Sequence, residues 1–277
     1  MWPLIISLVV VSAIAAVPVV FRHRQATRRT RIRSSPFPSE WEDILRRRVR
    51  LYRSLPTDLQ QELRGHIMIF VDAKRFEGAR GFEVTDDARV TIAALACLLL
   101  LNRPNRCYPG LRSIIVYPDA FLVPTTADVS DQVVLEDEEM HAGESWERGA
   151  VVLAWDDVVR GARNARDGMN VALHEFAHQL DQASGSADGV PALESDNRPE
   201  EWARILTEEY QQLRADSDRR RHTLLDSYGA TNEAEFFAVA TECFFEKPRQ
   251  MKRRHPDLYD QLRRYYRQDP QTYQEHK

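Results

Sequence analysis

Residues 174–178 read His-Glu-Phe-Ala-His, and this pentad restricts the chain more than any other stretch. On an α-helix two His four positions apart are rotated by about 400°, so their rings lie one turn apart on one face. Both can then reach a single metal ion. Glu175 sits about 100° around from His174, beside such a metal rather than on it. A carboxylate there can take a proton from a water that the metal activates. With 8 His in 277 residues, the chance expectation for such a pentad is roughly 0.02. The alternative is a core or surface helix that happens to carry two His. Against it, Val171, Ala172, Leu173, Phe176, Ala177 and Leu180 make the helix apolar on both sides, and two buried imidazoles on one face need partners.

A metal site that keeps an open position needs a third protein donor. No further His follows between Gln179 and Gly185, which leaves a carboxylate from a later helix. Glu235, in the apolar stretch Asn232–Glu242, is one candidate; Glu233 and Glu242 are the others. Asn232 and Glu235 also fit a capping box, in which Glu235 bonds back to its own helix start. Asp181 could orient a ligating His through its second ring nitrogen or simply close the helix before Gly185. Glu242 could do the former or pair with an arginine.

The first 21 residues add a second expectation. Trp2 to Phe21 carries no charge, and as a helix spans about 30 Å, the thickness of a bilayer core. Arg22, Arg24, Arg28, Arg29, Arg31 and Arg33 follow it, with no Lys or Arg before it. By the positive-inside bias this predicts a single-pass anchor over 1–21 in the inner (cytoplasmic) membrane, with the rest facing the cytoplasm. A signal peptide cleaved near Ala13–Ala16 is the rival reading, and a soluble cytoplasmic chain the remaining one. Without those six Arg, 32 basic residues face 42 acidic ones, which speaks against nucleic acid as a partner. Cys97, Cys107 and Cys243 are odd in number and far apart, a pattern that fits neither a disulfide framework nor a cysteine metal site.

Residues 22–38 read as a basic linker, 39–270 as one folded domain and 271–277 as a tail. Ser39-Glu-Trp-Glu42 has the form of a capping box. Helices are expected near 57–69, 86–101, 169–183, 199–215, 233–245 and 256–267, and strands near 111–117, 132–135 and 150–155. Mixed elements followed by helices indicate an α+β domain with a mostly helical C-terminal half. The 150–155 strand could serve both as a core strand and as an edge for an extended peptide.

Val171-Ala-Leu-His-Glu-Phe-Ala-His-Gln-Leu-Asp181, with Glu235-Phe-Phe-Ala-Val-Ala-Thr-Glu-Cys-Phe-Phe245 some sixty residues later, resembles the Mlc titration factor A family of zinc-dependent peptidases. Lys74–Gly78, Thr85–Leu101 and Trp146–Trp155 resemble it too, so the likeness covers about residues 40–270; the apolar N-terminus is not part of the pattern. The resemblance implies that His174, His178 and Glu235 hold zinc, that Glu175 is the general base or acid, and that Tyr228 in Asp226-Ser-Tyr-Gly229 stands near the substrate carbonyl. It implies a zincin-like fold similar to gluzincin metallopeptidases, in particular the catalytic domain of anthrax lethal factor. It also implies aminopeptidase-like hydrolysis of a peptide or protein substrate, and binding of a transcriptional regulator. Two function classes follow: a zinc metallopeptidase, or a regulator that sequesters a transcriptional repressor and whose zinc site does no chemistry. Glu175 separates them, because a purely structural metal has no use for an unligated carboxylate beside it.

Overall fold

The structure, a computed structural model, describes residues 26–103, 107–119, 149–185, 189–193 and 198–273. The chain divides into two units, Met1–Phe37 and Pro38–Lys277. In the first, residues 26–33 are helical, with Thr30 and Ser34 hydroxyls donating back to the carbonyls of Ala26 and Thr30.

The second unit opens with α1 (Ser39–Arg48), α2 (Arg50–Ser54) and α3 (Thr57–Ala73). The Ser39–Glu42 capping box does not form: α1 has no side-chain cap. Glu42 instead accepts from the Tyr52 hydroxyl at 2.8 Å and pairs with Arg64 at 2.9 Å, which ties α1 to α2 and α3. Strand β1 (Arg75–Gly78), helix α4 (Asp86–Leu98) and strands β2 (Ser113–Tyr117) and β3 (Ala150–Ala154) follow. The strands form one parallel sheet in the order β1-β2-β3, with Arg75 opposite Ser113 and Ser113 opposite Ala150.

Helix α5 (Trp155–Arg163) leaves β3 directly, with Asp156 and Asp157 in its first turn and Arg160 and Arg163 in its last, charges that suit the helix dipole at each end. Then come α6 (Val171–Asp181), α7 (Pro199–Asp218), α8 (Glu233–Glu246), α9 (Pro248–Arg254) and α10 (Pro256–Tyr266). Pro at the first position of α7, α9 and α10 suits a site whose N–H has no intrahelical acceptor.

Two helices are buried nearly all round. In α4 every residue from Val90 to Leu98 is buried, and in α8 every residue from Phe236 to Glu246. Such a helix lies between layers rather than on a surface. Phe176 anchors α6: its ring packs edge-on to Phe70 of α3 at 5.8 Å and against Tyr108 at 5.2 Å, and the Tyr108 hydroxyl donates to the Ala96 carbonyl of α4. The far side of α8 packs Phe244 and Phe245 on Tyr266 of α10.

This architecture corrects the fold class expected from the sequence. Among the described residues the protein is mostly helical, with a small three-stranded parallel sheet. Each strand has only four or five residues, so helices rather than a broad sheet supply most of the core. The expected strand at 132–135 and the expected anchor at 1–21 lie outside the described residues. Among the described residues no helix is long and apolar enough to cross a membrane, so the single N-terminal transmembrane helix has no support in the structure.

Phe176→Ala is expected to cost about 3–5 kcal/mol, the range for emptying a fully buried aromatic site. Urea unfolding of both proteins measures it, and a loss below about 1 kcal/mol would contradict the anchoring role.

Candidate metal centre

The metal-binding pattern of α6 is held from its start. Asn170 is the N-cap, its side-chain oxygen accepting from the Leu173 N–H at 3.2 Å. The rest of Asn170 is bound by α8: its backbone N–H donates to Glu242, and its side-chain amide donates to Glu246 at 3.0 Å. The Gly168 N–H donates to the other Glu246 oxygen at 2.9 Å. Gly161 of α5 lets that helix approach, since a Cβ there would stand 2.9 Å from the Asn170 side-chain carbon.

On the face so oriented, three side chains converge. Glu235 Oε2 lies 2.9 Å from His174 Nε2 and 3.4 Å from His178 Nε2, and the two Nε2 atoms are 3.1 Å apart. Tetrahedral zinc with ligands at 2.0–2.1 Å sets donor atoms about 3.3 Å from one another, so the spacing fits a single ion. His174, His178 and Glu235 form the one His/Cys/Asp/Glu group of this kind among the described residues. Glu233, the first rival donor, is exposed at the start of α8. The second, Glu242, sits on the other side of the His174 ring, 2.8 Å from Nδ1.

That last contact decides what His174 offers. A carboxylate at Nδ1 requires a proton there, so the neutral ring presents a lone pair at Nε2. This lone pair faces a carboxylate oxygen and the Nε2 atom of a second imidazole, an arrangement that calls for a cation. Without a metal the cation is a proton. Burial pulls the His174 pKa down, but hydrogen bonds to Glu235 and Glu242 outweigh it and hold the ring at about 10. Burial pushes Glu235 up, but hydrogen bonds from His174 and His178 outweigh that and hold it at about 2.

Glu175 and Tyr228 are brought to the same place. Both line a cleft of about 460 Å³ together with His174 and Glu242. Burial raises the Glu175 pKa, and the neighbouring His174 and His178 pull it back. Tyr228 stands in a 3₁₀ turn, Ser227–Ala230, whose Asp226 cap accepts from the Tyr228 N–H at 2.8 Å. Gly229 seats this turn on the protein, because a Cβ there would touch Leu213 and Val239 at 3.2 Å. The Tyr228 ring, 37% exposed, then lies 5.9 Å from that of His174.

Two open readings of the sequence bear on this geometry. The Asn232–Glu235 box forms by half: Asn232 accepts from the Glu235 N–H at 2.9 Å, while the Glu235 carboxylate turns to the imidazoles. Asp181 is fully buried and accepts from the Gly189 N–H at 2.8 Å, fixing the segment that follows α6. Asn170 and Glu246 were not anticipated. The signal for Glu246 was present, since Glu242 and Glu246 repeat at i, i+4 on an apolar helix, where buried acids need donors.

Metal-free protein should show the sign of these shifts. The His174 pKa lies above its usual 6.5, so its contribution to stability is full below about 6.5 and is lost as pH rises through about 10. Glu235 lies below its usual 4.5, so its contribution is present above about 4.5 and is lost as pH falls through about 2. Melting temperature of chelator-treated protein is therefore expected to fall between about pH 7 and 10, and to fall less in Glu235→Gln; identical profiles for the two would count against the shared proton.

The geometry can be set beside known proteins. A family model described as Glucose-regulated metallo-peptidase M90 matches residues 23–267. An uncharacterized protein of Synechocystis sp. is 40% identical over 271 residues, covering 98% of each chain. Proteins called Mlc titration factor A are similar as well. That of Escherichia fergusonii is 31% identical over 83% of this chain and 86% of its own, and that of Serratia proteamaculans 30% identical over 84% and 88%.

Proposed function

The chain belongs to the glucose-regulated metallo-peptidase M90 family, and from that premise we propose that it is a zinc-dependent peptidase working at the cleft beside α6. The observation that carries this reading is the convergence of His174, His178 and Glu235 with Glu175 left off the cluster, and with His174 and Glu175 both lining a cleft. Two imidazoles and one carboxylate with a free fourth position form the donor set of hydrolytic zinc. Bound there, zinc supplies Lewis acidity to the scissile carbonyl and a lowered pKa to the attacking water.

The chain's own residues do the remaining work. Glu242 fixes the His174 ring and its tautomer through Nδ1. Glu175 takes the water's proton and returns it to the leaving amine, a role that its raised pKa suits, because a carboxyl closer to neutrality gives the proton back more readily. Tyr228, on the cleft wall next to His174, steadies the developing oxyanion with its hydroxyl. The aminopeptidase-like preference suggested by the sequence resemblance is part of this proposal.

A second reading rests on the relatives' name, which describes titration of a regulator called Mlc. On that reading the chain binds a transcriptional regulator, and the metal centre shapes the binding surface. The two readings part at Glu175.

Glu175→Gln is expected to lower peptide hydrolysis by 10²–10⁴-fold, the usual worth of general-base assistance, with zinc content and melting temperature kept. Rates on a peptide library, metal analysis and thermal melts measured side by side test it. Unchanged hydrolysis would remove Glu175 from the chemistry, and absence of hydrolysis in both proteins would favour the regulator-binding reading. Glu235→Gln is expected to deplete zinc under mild chelation; retention of full occupancy, with loss instead in Glu233→Gln, would overturn the ligand assignment.

A further inference from the structure

A second cavity, of about 420 Å³, lies against α6 on the face turned away from the metal centre. Leu180 of α6 lines it, about 200° around the helix from His178, and Leu100, Tyr108, Pro109 and Leu193 extend an apolar wall. His174, Glu175, His178, Tyr228 and Glu235 do not line it. Among the described residues of the lining Arg103 alone is charged, and its guanidinium lies over the Tyr265 ring of α10 at 4.2 Å. The ring face holds that charge without cancelling it. The ionisable groups that act on Arg103 are Tyr265, Tyr266 and Tyr108, whose side chains are neutral at physiological pH. Among the described residues no carboxylate pairs with Arg103, and its buried Nη1 has no hydrogen-bond partner.

A guanidinium in apolar surroundings is costly until an anion meets it. Its planar fork of N–H donors matches the two oxygens of a carboxylate. One carboxylate also balances its single charge, whereas a phosphate dianion would carry an excess charge into the apolar wall. The volume is that of a small-molecule site, and the aliphatic side chains around it suit an alkyl chain. We propose that this cavity binds a small aliphatic monocarboxylate, its carboxylate against Arg103 and its alkyl chain against Leu100, Leu180 and Leu193.

The test is calorimetric titration of the full, zinc-loaded chain with octanoate, 1-octanol and acetate. Saturable 1:1 binding of octanoate is expected, with octanol and acetate each at least about tenfold weaker, a difference of about 1.4 kcal/mol. Arg103→Met keeps an apolar stem and removes the charge, so it should weaken octanoate binding by at least about tenfold and abolish the preference over octanol. Should that variant fail to fold, Ala192→Phe, at an exposed position of the lining, should fill the cavity and block binding. Octanoate binding in metal-depleted Glu235→Gln should match wild type, because a carboxylate held by zinc would be lost there. Four results would overturn the proposal: no saturable binding, octanoate bound no better than octanol or acetate, full affinity in Arg103→Met or Ala192→Phe, or loss of binding in Glu235→Gln.

Discussion

Helix α8 brings carboxylates into an otherwise apolar core and directs them at α6. Buried acids are costly unless donors meet them, and here each finds its donors on or just before the metal-binding helix. Glu235 meets the two imidazoles, Glu242 meets His174 Nδ1 and the Asn170 N–H, and Glu246 meets the Asn170 amide and the Gly168 N–H. The spacing of seven and then four residues keeps all three on one face of α8. Helix position, ring orientation and donor convergence thus follow from one helix–helix contact.

Burial and hydrogen bonding pull in opposite directions along this ladder, and the balance changes with depth. Glu235, the least enclosed, ends well below the ordinary carboxylate range. Glu242 and Glu246, deeper in the core, end above it, chiefly through burial, although hydrogen bonds pull both back. One helix face therefore presents an ionised acid to the cation site and more readily protonated acids to the backbone that supports it.

Much of the site was legible because helical periodicity converts sequence spacing into direction. The pentad on α6 was readable from His174 and His178, whereas on the later helix spacing left Glu233, Glu235 and Glu242 as rivals; the helix runs of α3, α7, α8 and α10 were readable from their apolar repeats. What was not legible depends on contacts between distant segments. The capping pattern at Ser39 lost to the pull of Tyr52 and Arg64 on Glu42. At Asn232 the same pattern formed only by half, because the imidazoles claim the Glu235 carboxylate. Strand β1 is four residues long and mostly exposed, too short for alternation to reveal it. Helix α5 follows β3 without a turn residue, so the sequence shows no boundary between them. The role of Glu242 was ambiguous until its partner could be seen.

The N-cap of α6 relies on acids that lie more than seventy residues downstream. Most helix starts are completed by neighbours within a few positions; this one has that local bond, from the Leu173 N–H to Asn170, and its capping residue is in turn held from across the chain. During synthesis, α6 leaves the ribosome with both imidazoles in place but without the carboxylates that orient them. The order of translation therefore sets an order of assembly: the support of α6 is complete only once Glu242 and Glu246 have emerged.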